Sequence, residues 1–84
     1  MSPLDAFSST LKRLRKNKSW SQENLAYYCG LDRTYISLLE RGLRNPTLTT
    51  LFSLANSLGY KPHQLVYEIE SEMELSNVGD SNEN

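Results

Sequence analysis

The sequence predicts an all-α domain of five helices. Three observations predict it: apolar residues return at spacings of three and four in five stretches, most stretches are bracketed by a Ser, Thr or Asp in front and a Gly behind, and no strand-like alternation of apolar and polar residues occurs.

The first helix opens at Ser2 as N-cap and Pro3 as first helical residue, with Asp5 well placed against the positive end of the helix dipole. Leu4, Phe7, Leu11 and Leu14 form its apolar stripe, Lys12, Arg13 and Lys16 point away, and Arg15 sits at the margin. Asn17 to Trp20 breaks the period. Ser21 caps a second helix whose inner face is Leu25, Ala26 and Cys29, with Tyr28 at its edge and Gly30 as its stop. The third runs between Asp32, a good N-cap acceptor, and Gly42, suited to the left-handed closing position. Its core side is Ile36 and Leu39 flanked by Tyr35 and Glu40, while Thr34, Ser37, Leu38 and Arg41 cluster opposite. After a loop through Pro46, Thr47 caps a fourth helix carrying Leu48, Leu51, Phe52, Leu54, Ala55 and Leu58 and closing at Gly59. A helix apolar this far round is expected to be covered on more than one side. Pro62 opens a fifth helix with a stripe of Leu65, Val66, Ile69 and Met73 and a wet face of glutamates. The expected folded domain is therefore 1–75, with 76–84 a frayed polar and acidic tail.

At 84 residues the chain has room for one small core and little room for a large catalytic cleft. No apolar run of about 18 residues suggests a membrane span, and no basic-then-apolar start suggests a signal peptide, so a cytoplasmic location is expected. Cys29 is the single cysteine and is expected to pack as a small apolar residue. His63 has no second ligand or nucleophile at a useful spacing, and the glutamates from Glu68 to Glu74 lack the calcium-loop pattern. No catalytic residue, metal or cofactor is therefore expected. Trp20 and Tyr60, at helix boundaries, read as core plugs.

The formal net charge of -1 hides an asymmetry. Residues 1–45 carry eight basic against four acidic side chains, a net +4, and residues 46–84 carry one against six, a net -5. The basic half holds the second and third helices, joined by Gly30-Leu31-Asp32, a candidate helix-turn-helix. A merely solvated outer face would suit Glu/Lys pairs, but the third helix offers Arg33, Thr34, Ser37 and Arg41. Arginine matches the O6/N7 edge of guanine, threonine offers a hydroxyl and a methyl, and serine serves base or phosphate. Gln22 and Asn24 lie in the first turn of the second helix, where free N–H groups suit a phosphate. Arg41, Arg44 and Asn45 lead into the loop and are candidates for phosphate contacts. Arg15 and Glu40, opposite charges each at the margin of an apolar face, are expected to pair structurally.

The segment Trp20 to Gly42, with its Ser21-Gln22-Glu23-Asn24-Leu25-Ala26 opening, its Gly30 turn and its Asp32 to Gly42 helix, resembles the Cro/repressor-type helix-turn-helix family, also called XRE. The similarity extends from about Phe7 to Val66 and implies a compact five-helix, lambda-repressor-like domain that binds operator DNA as a dimer. The run Leu31 to Ser37, followed by Glu40-Arg41 and Arg44-Asn45, is similar to the controller proteins of restriction-modification systems, which regulate their own gene and the endonuclease gene. The resemblance implies that Gln22 anchors a phosphate, that Arg33, Thr34 and Ser37 face bases, that Tyr35 meets backbone or a deformable base step, and that Arg15 and Glu40 form the family's ion pair. Two positions depart from the pattern. Ser19 stands where glycine is frequent, and Leu38 stands at an outward position where polar residues are common, a candidate contact to a thymine methyl.

The expected partner is double-stranded operator DNA, read by a homodimer whose contact is supplied by the excess apolar surface of the fourth and fifth helices, chiefly Leu65, Val66, Ile69 and Met73. RNA polymerase or another protein is a further candidate partner, and no membrane is. The alternative from another class is an antitoxin or other repressor of this type, whose acidic fifth helix grips a protein.

Overall fold

A computed structural model of the protein describes the backbone of residues 1–82 and the side chains of residues 1–76. It has five helices and, among the described residues, no strand: α1 Pro3–Asn17, α2 Gln22–Cys29, α3 Arg33–Glu40, α4 Leu48–Leu58 and α5 Pro62–Asn82.

Local chemistry accounts for most boundaries. Ser2 and Ser21 each accept from the backbone N–H three residues on, while Asp5 and Asn24 reach back to the N-cap N–H, giving two capping boxes. Thr47 caps α4 by accepting from the Thr50 N–H at 3.1 Å. Asp32 departs from expectation: it occupies the N-cap position of α3, but its side chain makes no capping hydrogen bond. Gly30, Gly42 and Gly59 take positive φ just past α2, α3 and α4. After α3, the Gly42 N–H donates to the Leu39 carbonyl and the Leu43 N–H to the Leu38 carbonyl, the paired closure that needs a left-handed residue between. Ser19 fills the same position after α1 at φ 59°, where glycine would be unstrained.

The core joins Phe7, Leu11 and Leu14 of α1, Leu25 and Ala26 of α2, Ile36 and Leu39 of α3, Leu54, Ala55 and Leu58 of α4, and Leu65 of α5. Trp20 and Tyr60 are half-buried against it. Cys29 is half-buried too, and burial raises its thiol pKa against an opposing hydrogen bond from Ser57, which suits a packing role.

Two expectations need correction. Leu65, placed on a surface for dimerisation, is only 1% exposed, because that edge of the α5 stripe faces α1 and α4 within the same chain. Leu48 and Phe52, expected to be covered, are 72% and 51% exposed, because none of the described residues covers that side of α4. Arg13 points away from the α1 stripe and there bridges Glu68 at 3.1 Å and Glu72 at 3.2 Å on α5, a pairing the sequence did not suggest. α5 extends to Asn82, into the segment expected as a tail, and the rest of that segment, Glu83 and Asn84, lies outside the described residues.

Candidate nucleic-acid interface

The α2–α3 turn sets the geometry of the site. Gly30 turns the chain at φ 68°, the Leu31 N–H closes back on the Ala26 carbonyl at 2.9 Å, and Leu31 tucks against the core. α3 then lies with Ile36 and Leu39 fully buried, which leaves its other side facing outward.

Three groups hold α3 to the rest of the domain. Arg15 donates from Nε to Glu40 Oε2 at 2.6 Å and from Nη2 to Glu40 Oε1 at 2.9 Å, while its Nη1 donates to the Trp20 carbonyl at 2.7 Å. The side chains are 9% and 2% exposed, so this is a two-pronged pair withdrawn from water. The hydrogen bonds that Arg15 donates to Glu40, and the carboxylate's charge, raise the pKa of the Arg15 guanidinium against opposing desolvation, which keeps it charged. The Ser8 hydroxyl lies 2.7 Å from the Leu39 carbonyl oxygen and 2.9 Å from that of Leu4. Sequence reasoning missed Ser8; its only signal is a small polar residue one turn after Leu4, on the edge of the α1 stripe.

Arg33, Thr34 and Arg41 are exposed on the outward side, with Ser37 and Leu38 half-exposed. Arg41 lies back along the helix, its Nε 3.4 Å from the Ser37 carbonyl. Tyr35 is half-buried against the core, and the Arg44 guanidinium sits 5.8 Å above its ring, a cation–π contact. Asn45 is exposed in the loop that follows. Arg33, Arg41 and Arg44 belong to none of the ion pairs among the described residues, and the one acid on α3, Glu40, is neutralised by Arg15. The outward side of α3 is thus a small polar surface with uncompensated positive charge.

The first turn of α2 is less free. Gln22 donates from Nε2 to Glu40 Oε1 at 3.1 Å, which leaves one amide hydrogen for another acceptor. Asn24 accepts the Ser21 N–H on its carbonyl oxygen at 3.0 Å to close the cap, which leaves its amide hydrogens for another acceptor. Of the residues expected at a dimer contact, Val66 is 47% exposed, while Ile69 and Met73 are half-buried. Among the described residues no cluster of three His, Cys, Asp or Glu could hold a metal ion, and no helix is long and apolar enough to cross a membrane.

The Helix-turn-helix family model matches residues 11–65, from the middle of α1 to the start of α5. A hypothetical transcription factor of Neisseria meningitidis is 42% identical over 65 residues, which are 77% of this chain and 61% of that protein, so the chain spans less than two thirds of this relative's length. Control protein C.MunI of a Mycoplasma species is 43% identical over 67 residues, 79% of this chain and 90% of that one. The restriction-modification controller protein C.Esp1396I, solved as a tetramer in complex with its natural 35 base-pair operator, superposes with a TM-score of 0.79 at 35% identity, over 86% of this chain and 95% of that one. The recognition-helix geometry and these matches lead to one conclusion: the chain belongs to the helix-turn-helix family of the Cro/repressor (XRE) type, and within it is similar to the control proteins of restriction-modification systems.

Proposed function

We propose that the protein is a sequence-specific DNA-binding transcription regulator, the controller of a restriction-modification system, acting in the cytoplasm on a palindromic operator as a homodimer. The observation that carries this reading is the outward side of α3, where Arg33, Thr34, Ser37 and Arg41 stand on a helix held rigidly by buried groups. Arg33, Thr34 and Ser37 read base edges in the major groove, and Leu38 offers an apolar contact to a thymine methyl. Gln22, through its remaining amide hydrogen, and Arg41, Arg44 and Asn45 hold phosphates on either side of the groove. Tyr35, stiffened beneath Arg44, lies against the DNA backbone. The protein binds and does not catalyse.

The dimer reading rests on Leu48 and Phe52 of α4 and Val66 of α5, large apolar residues left exposed by the monomer. The related C.Esp1396I assembles on its operator as a tetramer, which supports assembly on DNA here. Two-fold pairing places the half-sites about 34 Å apart, one turn of the duplex.

Selection of bound sequences from a random duplex pool, at one stated salt concentration, tests the reading. Enrichment of a palindrome with one-turn half-site spacing is expected. A folded protein that enriches no sequence would overturn it and turn attention to the acidic α5 as a protein-binding helix.

A further inference from the structure

The recognition helix and the exposed apolar residues Leu48 and Phe52 of α4 and Val66 of α5 belong to different elements. α3 packs chiefly on α1 and α2, and α5 on α1 and α4, so α1 packs on both α3 and α5, while α2 joins α3 to α4. Polar joints reinforce both of its contacts. Toward α3, Ser8 meets the Leu39 carbonyl at 2.7 Å and Arg15 grips Glu40. Toward α5, Arg13 donates from Nη2 to Glu68 at 3.1 Å and from Nε to Glu72 at 3.2 Å, and Ser9 donates to Glu72 at 3.5 Å. Glu68 and Glu72 are one helical turn apart, as are Ser9 and Arg13, and the earlier residue of α1 meets the later residue of α5. The two helices therefore cross antiparallel with their register pinned at two successive turns. Adjacent residues of one short stretch of α1 thus hold the recognition helix on one side and α5 on the other.

We propose that Arg13 is a positioning residue that determines operator spacing: by locking α5 to α1 it fixes the recognition helix relative to Val66 and the outer side of α5, and through α5 to the α4 packed on it, and so fixes the distance between the two recognition helices of a dimer. This rests on the dimeric operator reading above. A two-fold axis doubles any rotation of α5 against α1, because both protomers contribute it. One base pair changes the half-site separation by about 3.4 Å and turns one half-site by about 35° about the duplex axis. A domain that rocks on α5 tolerates that change, and a locked one rejects it. The clasp can be weakened without unfolding the chain. Its side chains are 41%, 28% and 22% exposed, whereas Leu65 is buried and Ile69 packs against the core, and those two continue to anchor α5. Arg13 faces α5 and lies outside the outward side of α3, so its loss removes no proposed base contact.

The test uses the full chain and three duplexes carrying the selected palindrome, with half-sites at the selected spacing and one base pair closer or farther, at one salt concentration. Arg13→Ala is expected to bind the selected spacing nearly as wild type does, while its penalty on the two altered duplexes shrinks by about three- to fivefold, the size exposed ion pairs supply. Arg13→Glu combined with Glu68→Arg and Glu72→Arg should restore wild-type discrimination, an outcome that a bulk effect of charge at position 13 would not produce. Equal weakening on all three duplexes, or unchanged discrimination, would overturn the proposal. So would conversion of Arg13→Ala to a monomer in sedimentation, which would make the clasp a support of assembly. Failure of the wild-type protein itself to prefer any two-half-site operator would reject the underlying dimeric reading, an outcome separable from all the others.

Discussion

The Arg15–Glu40 pair joins fold to site at the level of single residues. Its partners are almost wholly withdrawn from water, so removing one leaves the other charged and unpaired. Glu40→Ala should cost about 3–5 kcal/mol in urea unfolding, whereas Arg15→Met with Glu40→Leu should come much closer to neutral. A small cost for the single change would show that water reaches Arg15. Ser19 yields the opposite sign. It holds φ 59° with an exposed side chain, so Ser19→Gly should raise stability by about 1 kcal/mol, measured in the same unfolding assay. No gain would mean that the greater freedom of glycine in the unfolded chain cancels the relief of strain. The geometry of Arg15 and Glu40 was legible because each is a charge at the margin of an apolar stripe. Ser8 and Arg13 were not, because their partners lie 31 and at least 55 positions along the chain, and only the packing of α1 brings them near.

Secondary structure was the most legible level, since helix ends are written in local chemistry. Ser2, Ser21 and Thr47 cap as their residue types suggest, and Gly30, Gly42 and Gly59 turn where the helices stop. Periodicity said less about which of two neighbouring apolar residues faces inward. On α5, Leu65 enters the core and Val66, the next residue, stays 47% exposed, a choice made by the tilt of the helix on α1 and α4. On α4 the apolar arc was visible, but whether its second side was covered or open was not. For the recognition helix the outward pattern was legible, whereas the partners that hold Gln22 and Asn24 in the first turn of α2 were not. Arg33 remains the cleanest probe, because it is exposed and belongs to none of the described ion pairs. Arg33→Ala should cost about 1–3 kcal/mol on the selected operator and relax preference at one base position, read by repeating the selection with the variant. Uniform weakening on every duplex would instead assign Arg33 to phosphate.

At the scale of the whole molecule, the charge asymmetry becomes spatial: the arginines of α3 and its loop face outward on one part of the domain, and the glutamates lie on α5. Part of that acidity is consumed internally, since Glu68 and Glu72 hold Arg13, while Glu70 and Glu74 remain exposed. A single module of this size buries only about 600–1,000 Å² on DNA, too little for strong operator affinity unless two act together. The exposed Leu48 and Phe52 are where that second copy is expected, because an open monomer leaves them in water with no functional return. Phe52→Glu places a charge on that face without touching the core, so the variant should stay folded by circular dichroism yet sediment as a monomer at tens of micromolar, where the wild type is expected to be a dimer. Its binding to an isolated half-site should be unchanged, and its binding to the full palindrome should fall by about two orders of magnitude, the lower range of gain from linking two sites. Equal loss on half-site and palindrome would show that Phe52 acts through the reading head, and a variant that still dimerises would move the contact to another face, with Val66 and the outer side of α5 the next to change.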